Sequence, residues 1–149
     1  DILHSRVALS NIYGLISMGA DVTVCGPPNL IPSFLKDLNV NHNYNLDEVI
    51  DWADALNVLR IQRERMGLGL VPSNREYRAT FGITQERLKK HPKEIVIMHP
   101  GPINRGVEID GSVADSEQAI ILDQVLNGVA SRMAILYLLC GGKANVGEN

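Results

Sequence analysis

Short apolar runs alternate along the chain with longer segments whose apolar residues recur at helical spacing. Five runs have the length and composition of β-strands, and they span 1–4, 22–24, 39–43, 55–59 and 95–98. Five segments have a helical pattern, at about 6–18, 32–38, 45–53, 84–91 and 115–140. This order predicts the α/β class: a single doubly wound, mostly parallel five-stranded sheet flanked by helices, which is a Rossmann-like fold.

Local signals mark several of these boundaries. Gly19 is placed to end the first helix, Asn45 or Asp47 to cap the third, and Thr84 to cap the fourth. The stretch 66–82 breaks the alternation with three glycines and a proline, so it is predicted to be one long loop.

Composition narrows the class of protein. The chain has 149 residues, of which 45% are hydrophobic and 21% charged, and these values are typical of one folded domain rather than a disordered chain. A net charge of -3 gives no positive field to hold nucleic acid. The longest apolar run, 133–140, is far shorter than the roughly 18 to 20 residues that span a bilayer, so no membrane contact is predicted.

The distribution of metal-ligating and cysteine residues is also informative. Cys25 and Cys140 stand far apart without a CxxC pair or clustered histidines, so neither a disulfide framework nor a metal site is predicted. The sequence shows no secretory signal, and a cytoplasmic location is expected. A nucleotide-binding oxidoreductase domain is a weak alternative, because the GxGxxG fingerprint is missing.

Arginines follow several of the predicted strands. Ligands bind at the carboxyl ends of strands in open α/β sheets, where this sequence places Arg6 and Arg60. The planar fork of arginine matches a carboxylate or a phosphate, so the pattern indicates an anionic small molecule. Gln62 lies on the same side of the strand as Arg60, and Glu64 is placed to orient it. The alternative is that these arginines are solvated or paired with surface carboxylates.

The segment 99–105 contains two prolines and a glycine, and this composition predicts a rigid turn that exposes backbone carbonyls. His99 stands at its start, either as a general base or as a structural hydrogen-bonding residue. No Ser or Cys nucleophile is spaced to partner it.

Three segments together carry a resemblance. His-Ser-Arg-Val-Ala at 4–8, Leu-Arg-Ile-Gln-Arg-Glu-Arg-Met at 59–66 and Met-His-Pro-Gly-Pro-Ile-Asn-Arg-Gly at 98–106 resemble the carboxyl-terminal half of the catalytic chain in the aspartate transcarbamoylase family. The related ornithine enzymes usually have His-Cys-Leu-Pro where this chain has His-Pro-Gly-Pro. The resemblance therefore favours aspartate.

The resemblance implies a reaction and a set of residues. The family transfers the carbamoyl group of carbamoyl phosphate to the amino group of L-aspartate in pyrimidine synthesis, without a metal or organic cofactor. Arg6 would bind the α-carboxylate of aspartate, and Arg60, assisted by Gln62, the side-chain carboxylate. The carbonyls of Pro100 and Gly101 would accept hydrogen bonds from the substrates, and the bond from Gly101 to Pro102 would be cis.

Other positions are implied to have supporting roles. Glu64 and Arg105 would hold the binding residues in place, and the loop 66–82, with Tyr77 and Arg78, would close over aspartate. Leu9 stands where many bacterial members have an arginine, so a changed local ion pair is expected.

The whole chain, 1–149, resembles the aspartate-binding domain alone. The family's amino-terminal half, which carries a Ser-x-Arg-Thr phosphate-binding segment, has no counterpart here, and the final helix, about 115–140, is expected to pack on it. The chain alone is therefore expected to be inactive. A complete family member would be a homotrimer, with regulatory or dihydroorotase chains as possible partners. The competing interpretation is a non-catalytic binding or assembly module that retains this fold.

Overall fold

The structure is a computed structural model and describes residues 1–38, 40–62 and 73–141. Its helices are α1 (Arg6–Ser17), α2 (Leu46–Trp52), α3 (Asn74–Phe81), α4 (Gln85–Leu88), α5 (Gly111–Ala114) and α6 (Ile121–Leu139). Its strands are β1 (Thr23–Cys25), β2 (Asn41–Asn43), β3 (Ala55–Asn57) and β4 (Val96–Met98). Two 3-10 helices, Pro28–Leu30 and Ser33–Leu38, connect β1 to β2.

The strands form two parallel pairs. β1 pairs with β2, with Thr23 opposite Asn41, and β3 pairs with β4, with Ala55 opposite Val96. The α/β class is confirmed, and the four predicted strands from 22 onward are found, the first shifted by one residue and the other three with shorter bounds. In the described residues, however, the strands lie in two separate two-stranded sheets rather than in one sheet of five.

The predicted strand at 1–4 is wrong, because this segment forms a turn. The side chain of Asp1 accepts a hydrogen bond from the backbone N–H of His4 at 3.2 Å, and the N–H of Ser5 donates to the carbonyl of Ile2 at 3.3 Å. An aspartate that bonds the backbone of a following residue favours a turn over an extended chain.

The predicted loop 66–82 is wrong over its described part, because residues 74–81 form α3; residues 66–72 lie outside the described residues. Ser73 caps this helix: its Oγ accepts the N–H of Glu76 at 3.1 Å and donates to the Glu76 carboxylate at 3.0 Å. A serine followed three positions later by a glutamate is the sequence signature of a capped helix start.

The final helix begins at Ile121 rather than at 115. The residues before it run beside β4, where Ile97 donates to the carbonyl of Gln118 at 2.8 Å and accepts from the N–H of Ile120 at 2.9 Å. Because these backbone groups are bonded to the strand, they are not available to a helix.

Two apolar clusters hold the elements together. The larger one is centred on β4, where Ile97 is completely buried. It also includes Ile50 of α2, Val113 of α5, and Ile109, which lies just before α5. The smaller one joins α1 and β1 through Ile12 and Val24, with further buried residues before β2. These clusters fix the positions at which β3 and β4 end, and the candidate site lies beyond those ends. No helix in the described part of the chain is long and apolar enough to span a membrane.

Candidate functional site

Three segments that are distant in sequence meet beyond the ends of β3 and β4. Gln62 donates from Nε2 to the carbonyl oxygen of His4 at 3.4 Å, which links the segment after β3 to the residue before the cap of α1. Asn104 donates from Nδ2 to the carbonyl of Ile61 at 3.3 Å, which links the segment after β4 to the same place. The two bonds gather the segments that carry the predicted substrate-binding residues.

Arg6 is the first residue of α1. Ser5 caps this helix, its Oγ accepting the N–H of Ala8 at 3.2 Å, and the ring of His4 lies 3.0 Å from the carboxylate of Asp1. Arg6 itself is exposed, so its guanidinium extends into solvent at the positive end of a twelve-residue helix. This end of α1 favours an anion.

Arg60 and Gln62 flank a buried residue. Ile61 is almost completely inaccessible, whereas Arg60 and Gln62 are each partly exposed. Because side chains alternate along an extended segment, burying Ile61 turns its two neighbours to the opposite side. The prediction that they share a side is consistent with this pattern of burial.

The turn after β4 has an unusual backbone. Its bond from Gly101 to Pro102 is cis, as the resemblance implied, and Gly101 has a φ of +68°. A residue with a side chain would be strained at that φ, so a glycine is needed here. Pro100 is half-buried and Gly101 is exposed. The turn is therefore tightly held from one side and accessible from the other.

His99 holds this turn from inside the protein. It is completely buried; its Nδ1 accepts the N–H of Gly101 at 2.9 Å, and its own N–H donates to Oε1 of Gln124 at 2.8 Å. A ring nitrogen that accepts carries no proton, so in the neutral ring the proton is on Nε2. These bonds assign His99 a structural role, which decides between the two interpretations of its sequence position.

Glu108 is the partner on the other side of His99. Its Oε1 lies 3.4 Å from His99 Nε2 and accepts the N–H of Asn104 at 2.6 Å. The contact with His99 is too poorly aligned to be a hydrogen bond, and Oε2 of Glu108 is buried without a partner in the described residues. This carboxylate is hydrogen-bonded to the Asn104 end of the turn and lies in contact with His99 at the other end, and the sequence-based reasoning missed both it and Asn104. The sequence does contain a sign that Glu108 is buried, because this charged residue stands between the apolar residues Val107 and Ile109.

Of the two supporting residues predicted from the sequence, Glu64 and Arg105, the structure describes only Arg105. Glu64 lies outside the described residues. Arg105 is exposed and binds the carboxylate of Asp115 through two hydrogen bonds of 2.7 and 2.8 Å. These bonds raise the pKa of the Arg105 guanidinium and lower that of Asp115. In this structure Arg105 is thus part of a surface ion pair.

Tyr77 and Arg78 belong to α3 rather than to a loop. Tyr77 is buried, and this burial raises the pKa of its hydroxyl. Arg78 donates to both oxygens of Asp110 at 2.9 and 2.7 Å, which ties α3 to the residue before α5. Both side chains therefore hold α3 against the rest of the domain.

The described residues contain no group of three or more His, Cys, Asp or Glu side chains arranged to hold a metal ion. Cys25 is partly buried, and its desolvation raises the pKa of the thiol to about 11, so at neutral pH it is protonated and a weak nucleophile. The groups of this site that can bind a substrate are thus the guanidinium groups of Arg6 and Arg60, the side-chain amide of Gln62 and the backbone of the turn after β4.

Comparison with known proteins identifies the family. The profile of the family described as aspartate/ornithine carbamoyltransferase, Asp/Orn binding domain, matches residues 1–139. The aspartate carbamoyltransferase catalytic subunit of Gemmatimonas aurantiaca is 54% identical over 148 residues, which are 99% of this chain and 46% of that protein. The catalytic subunit of Christiangramia forsetii is 59% identical over 139 residues, covering 93% of this chain and 45% of that protein.

Solved structures agree in fold. The catalytic subunit of M. jannaschii aspartate transcarbamoylase matches with a TM-score of 0.72 and 33% identity, over 99% of this chain and 48% of that one. An ornithine carbamoyltransferase from Burkholderia thailandensis has a TM-score of 0.73 at 16% identity, a likeness of fold alone. The chain spans about half the length of the relatives it matches. It belongs to the aspartate/ornithine carbamoyltransferase family, in which it corresponds to the Asp/Orn-binding domain.

Proposed function

We propose that this chain is the aspartate-binding half of an aspartate carbamoyltransferase. The complete enzyme transfers the carbamoyl group of carbamoyl phosphate to the amino group of L-aspartate, giving N-carbamoyl-L-aspartate and phosphate. The observation that carries the proposal is the meeting of the segments bearing Arg6, Arg60 and Gln62 beyond the ends of β3 and β4, through the bonds from Gln62 to His4 and from Asn104 to Ile61.

Aspartate recognition follows from the two arginines. A dicarboxylate needs two cationic groups on separate supports, and Arg6 lies on α1 while Arg60 follows β3. In the proposed complex, Arg6 binds the α-carboxylate and Arg60 the side-chain carboxylate. Gln62 fixes the distance between the two supports through its bond to His4 and assists Arg60.

Pro100 and Gly101 act through their backbone. We assign their carbonyls to accept hydrogen bonds from the attacking amine and from the nitrogen of the carbamoyl group. His99 and Glu108 hold this turn without touching substrate, because both are buried behind it. Catalysis of this kind depends on orientation and on fixed dipoles, which is effective only if the turn is rigid.

The amino-terminal half of the catalytic chain is the first proposed partner. In α6, ten large apolar side chains are exposed, among them Leu122 at 84%, Leu126 at 68% and Leu139 at 81%. Exposed apolar surface of this extent is typical of an interface, and we propose that the final helix packs on the carbamoyl phosphate domain. Carbamoyl phosphate then binds mainly to that domain.

The assembly of the complete enzyme is a further proposal. We expect a homotrimer, as the family resemblance implies, and regulatory or dihydroorotase chains stay possible partners. The predicted cytoplasmic location also stays a prediction.

Complementation tests the proposed function. The chain is mixed with the separately produced amino-terminal half of the Christiangramia forsetii relative, and carbamoyl aspartate formation is measured. We expect no product from either part alone and measurable product from the mixture. A matched mixture with Arg60→Ala should lose that activity, while one with Lys90→Ala, which removes an exposed positive charge just after α4, should keep it. Lack of product from a mixture that forms the complex would favour the assembly-module interpretation.

A further inference from the structure

Arg87 of α4 holds the carboxyl end of α3. Its Nη1 donates to the carbonyl of Thr80 at 2.8 Å and to that of Gly82 at 3.3 Å, and its Nη2 donates to the carbonyl of Ala79 at 2.9 Å. The last four carbonyls of a helix have no partner within it, and Arg87 supplies donors to two of them. Its side chain is 15% exposed, and its Nε lies 3.1 Å from Oδ1 of Asp47 in α2. One guanidinium thus joins α4 to both α3 and α2.

The chain between α3 and α4 follows a close-packed path. Thr84 caps α4, its Oγ1 accepting the N–H of Arg87 at 3.1 Å, which fixes the backbone from which the arginine extends. Gly82, between the two helices, has no room for a side chain, because a Cβ there would lie 2.5 Å from the carbonyl oxygen of Arg78. The position of Gly82 relative to Arg87 is therefore set by packing as well as by their hydrogen bond.

The peptide group between Gly82 and Ile83 connects Arg87 to Glu108. Its C=O accepts from Nη1 of Arg87, and its N–H donates to the backbone carbonyl of Glu108 at 2.9 Å. The two bonds leave opposite sides of one planar unit, so a shift of one partner is transmitted to the other. A cation at the C=O also strengthens the bond that the N–H donates, because hydrogen bonds in a chain polarise one another. Arg87 and Glu108 are thus only one peptide group apart.

Glu108 connects this peptide group to the turn after β4. Its side-chain Oε1 accepts the N–H of Asn104 at 2.6 Å at one end of the turn and lies 3.4 Å from Nε2 of His99 at the other. His99 in turn accepts the N–H of Gly101 at 2.9 Å. Because Glu108 is almost completely buried, its side chain has little freedom to adjust if its backbone moves. A displacement that starts at Arg87 therefore reaches the turn.

We propose that Arg87 is a positioning residue for the turn after β4. It acts by fixing the peptide group between Gly82 and Ile83 against the backbone of Glu108, not by touching substrate. The consequence for the reaction rests on the proposed function, in which the carbonyls of Pro100 and Gly101 bind the reacting nitrogens. The planar fork of arginine is needed here, because a shorter or single-headed side chain cannot donate to three carbonyls at once.

Amide hydrogen exchange tests this link without reference to substrate. After correction for global stability by urea denaturation, Arg87→Gln should speed exchange at Ile83 and Asn104 by about tenfold. The matched control is Ser73→Ala, which removes the cap at the opposite end of α3 and destabilises the same helix. This control should leave the two amides unchanged after the same correction. Equal exchange at Ile83 and Asn104 in Arg87→Gln and in Ser73→Ala would overturn the proposal.

A double substitution tests the route through Glu108. In Glu108→Ala the acceptor of the Asn104 N–H is already lost, so adding Arg87→Gln should speed exchange at Asn104 by less than about twofold more. Exchange at Ile83, whose N–H donates to the backbone of residue 108, should still respond in full. A full further effect at Asn104 would contradict the proposed route. If Arg87→Gln does not fold, Arg87→Lys, which keeps the charge without the fork, replaces it with the same expected contrast.

The effect on the reaction is measured in the mixture with the amino-terminal half. Arg87→Gln should lower kcat by about tenfold and change KM for aspartate by less than about twofold, because the turn orients the reacting atoms. Lys90→Gln, which removes an exposed charge three positions away, should change neither. A kcat of Arg87→Gln equal to that of the parent would overturn the positioning role. An inactive parent mixture would instead contradict the proposed function, and hydrogen exchange then decides whether Arg87 positions the turn.

Discussion

The side-chain Nε2 of Gln62 donates to the backbone carbonyl of His4 over 3.4 Å, across 58 positions of sequence. This one bond connects the segment after β3, which carries Arg60, to the start of α1, which carries Arg6. The distance between the two arginines therefore depends on a residue that contributes no charge.

Replacing Gln62 should weaken dicarboxylate binding while the domain stays folded. A single hydrogen bond contributes about 0.5–1.5 kcal/mol, so Gln62→Ala is expected to weaken succinate binding by about 2- to 10-fold. Calorimetric titration of the chain with succinate measures this, with Gln85→Ala on the exposed surface of α4 as the control. An unchanged affinity in Gln62→Ala would mean that the bond does not position the site.

The buried carboxylate of Glu108 should contribute to stability through the turn it holds. Glu108→Ala leaves the N–H of Asn104 without its acceptor, and a buried unpaired group costs about 1–3 kcal/mol. Urea denaturation should show a lower free energy of unfolding by about this amount. Glu117→Ala, at an exposed position, should change it little. Equal stability of the two variants would contradict the role assigned to Glu108.

The stability of the domain should depend on the protonation of His91. Its Nδ1 lies 2.5 Å from Asp51, and its Nε2 lies 3.4 Å from Asp47, which also pairs with Arg87 of α4. The hydrogen bond to Asp51 raises the pKa of His91 above 6.5. This contribution is fully present below pH 6.5 and is lost as the pH rises through the higher folded-state pKa.

Urea titrations at a series of pH values from 6 to 9 measure this loss directly. We expect the wild-type chain to lose stability over this range and His91→Gln to lose less. A pH dependence that is the same in both proteins would show that His91 is not its source.

Much of the fold can be predicted from the sequence, because the burial of one face of a helix or strand produces a regular spacing of apolar residues. Apolar spacing predicts a helix at about 6–18 and a strand at 95–98, and the structure has α1 at Arg6–Ser17 and β4 at Val96–Met98. The errors arise where a side chain competes with the backbone: Asp1 bends the segment that looks like a strand, and Ser73 starts a helix within a segment rich in glycine. Apolar periodicity does not register such local hydrogen bonds.

The site could be predicted only in part, for a related reason. Arg60 and Gln62 are recognisable because polar residues follow an apolar strand. Glu108 and Asn104 act through backbone groups that come close only in the folded chain, so spacing gives little sign of them. The ion pair between Arg105 and Asp115, ten positions away, also could not be predicted from the residues that follow the strands.

The apolar surface of α6 should make the isolated chain associate. We expect concentration-dependent oligomers in sedimentation and strong fluorescence with a hydrophobic dye, because Leu126, Met133 and Leu136 are each more than 60% exposed. Leu136→Glu should reduce both signals, whereas Ser131→Glu, an equally charged change at an exposed polar position, should not. A monomeric chain without dye binding would argue against an interface on this helix.

Succinate titration of Arg60→Ala is the most direct test of the dicarboxylate site. Arg60→Ala removes a bidentate carboxylate partner and little core volume, so the variant should keep the far-ultraviolet circular dichroism of the parent and lose measurable succinate affinity in low salt. Arg132→Ala loses the same charge from α6 and should bind succinate as the parent does. A folded Arg60→Ala chain with the affinity of the parent would contradict the assignment of aspartate binding to this end of the sheet.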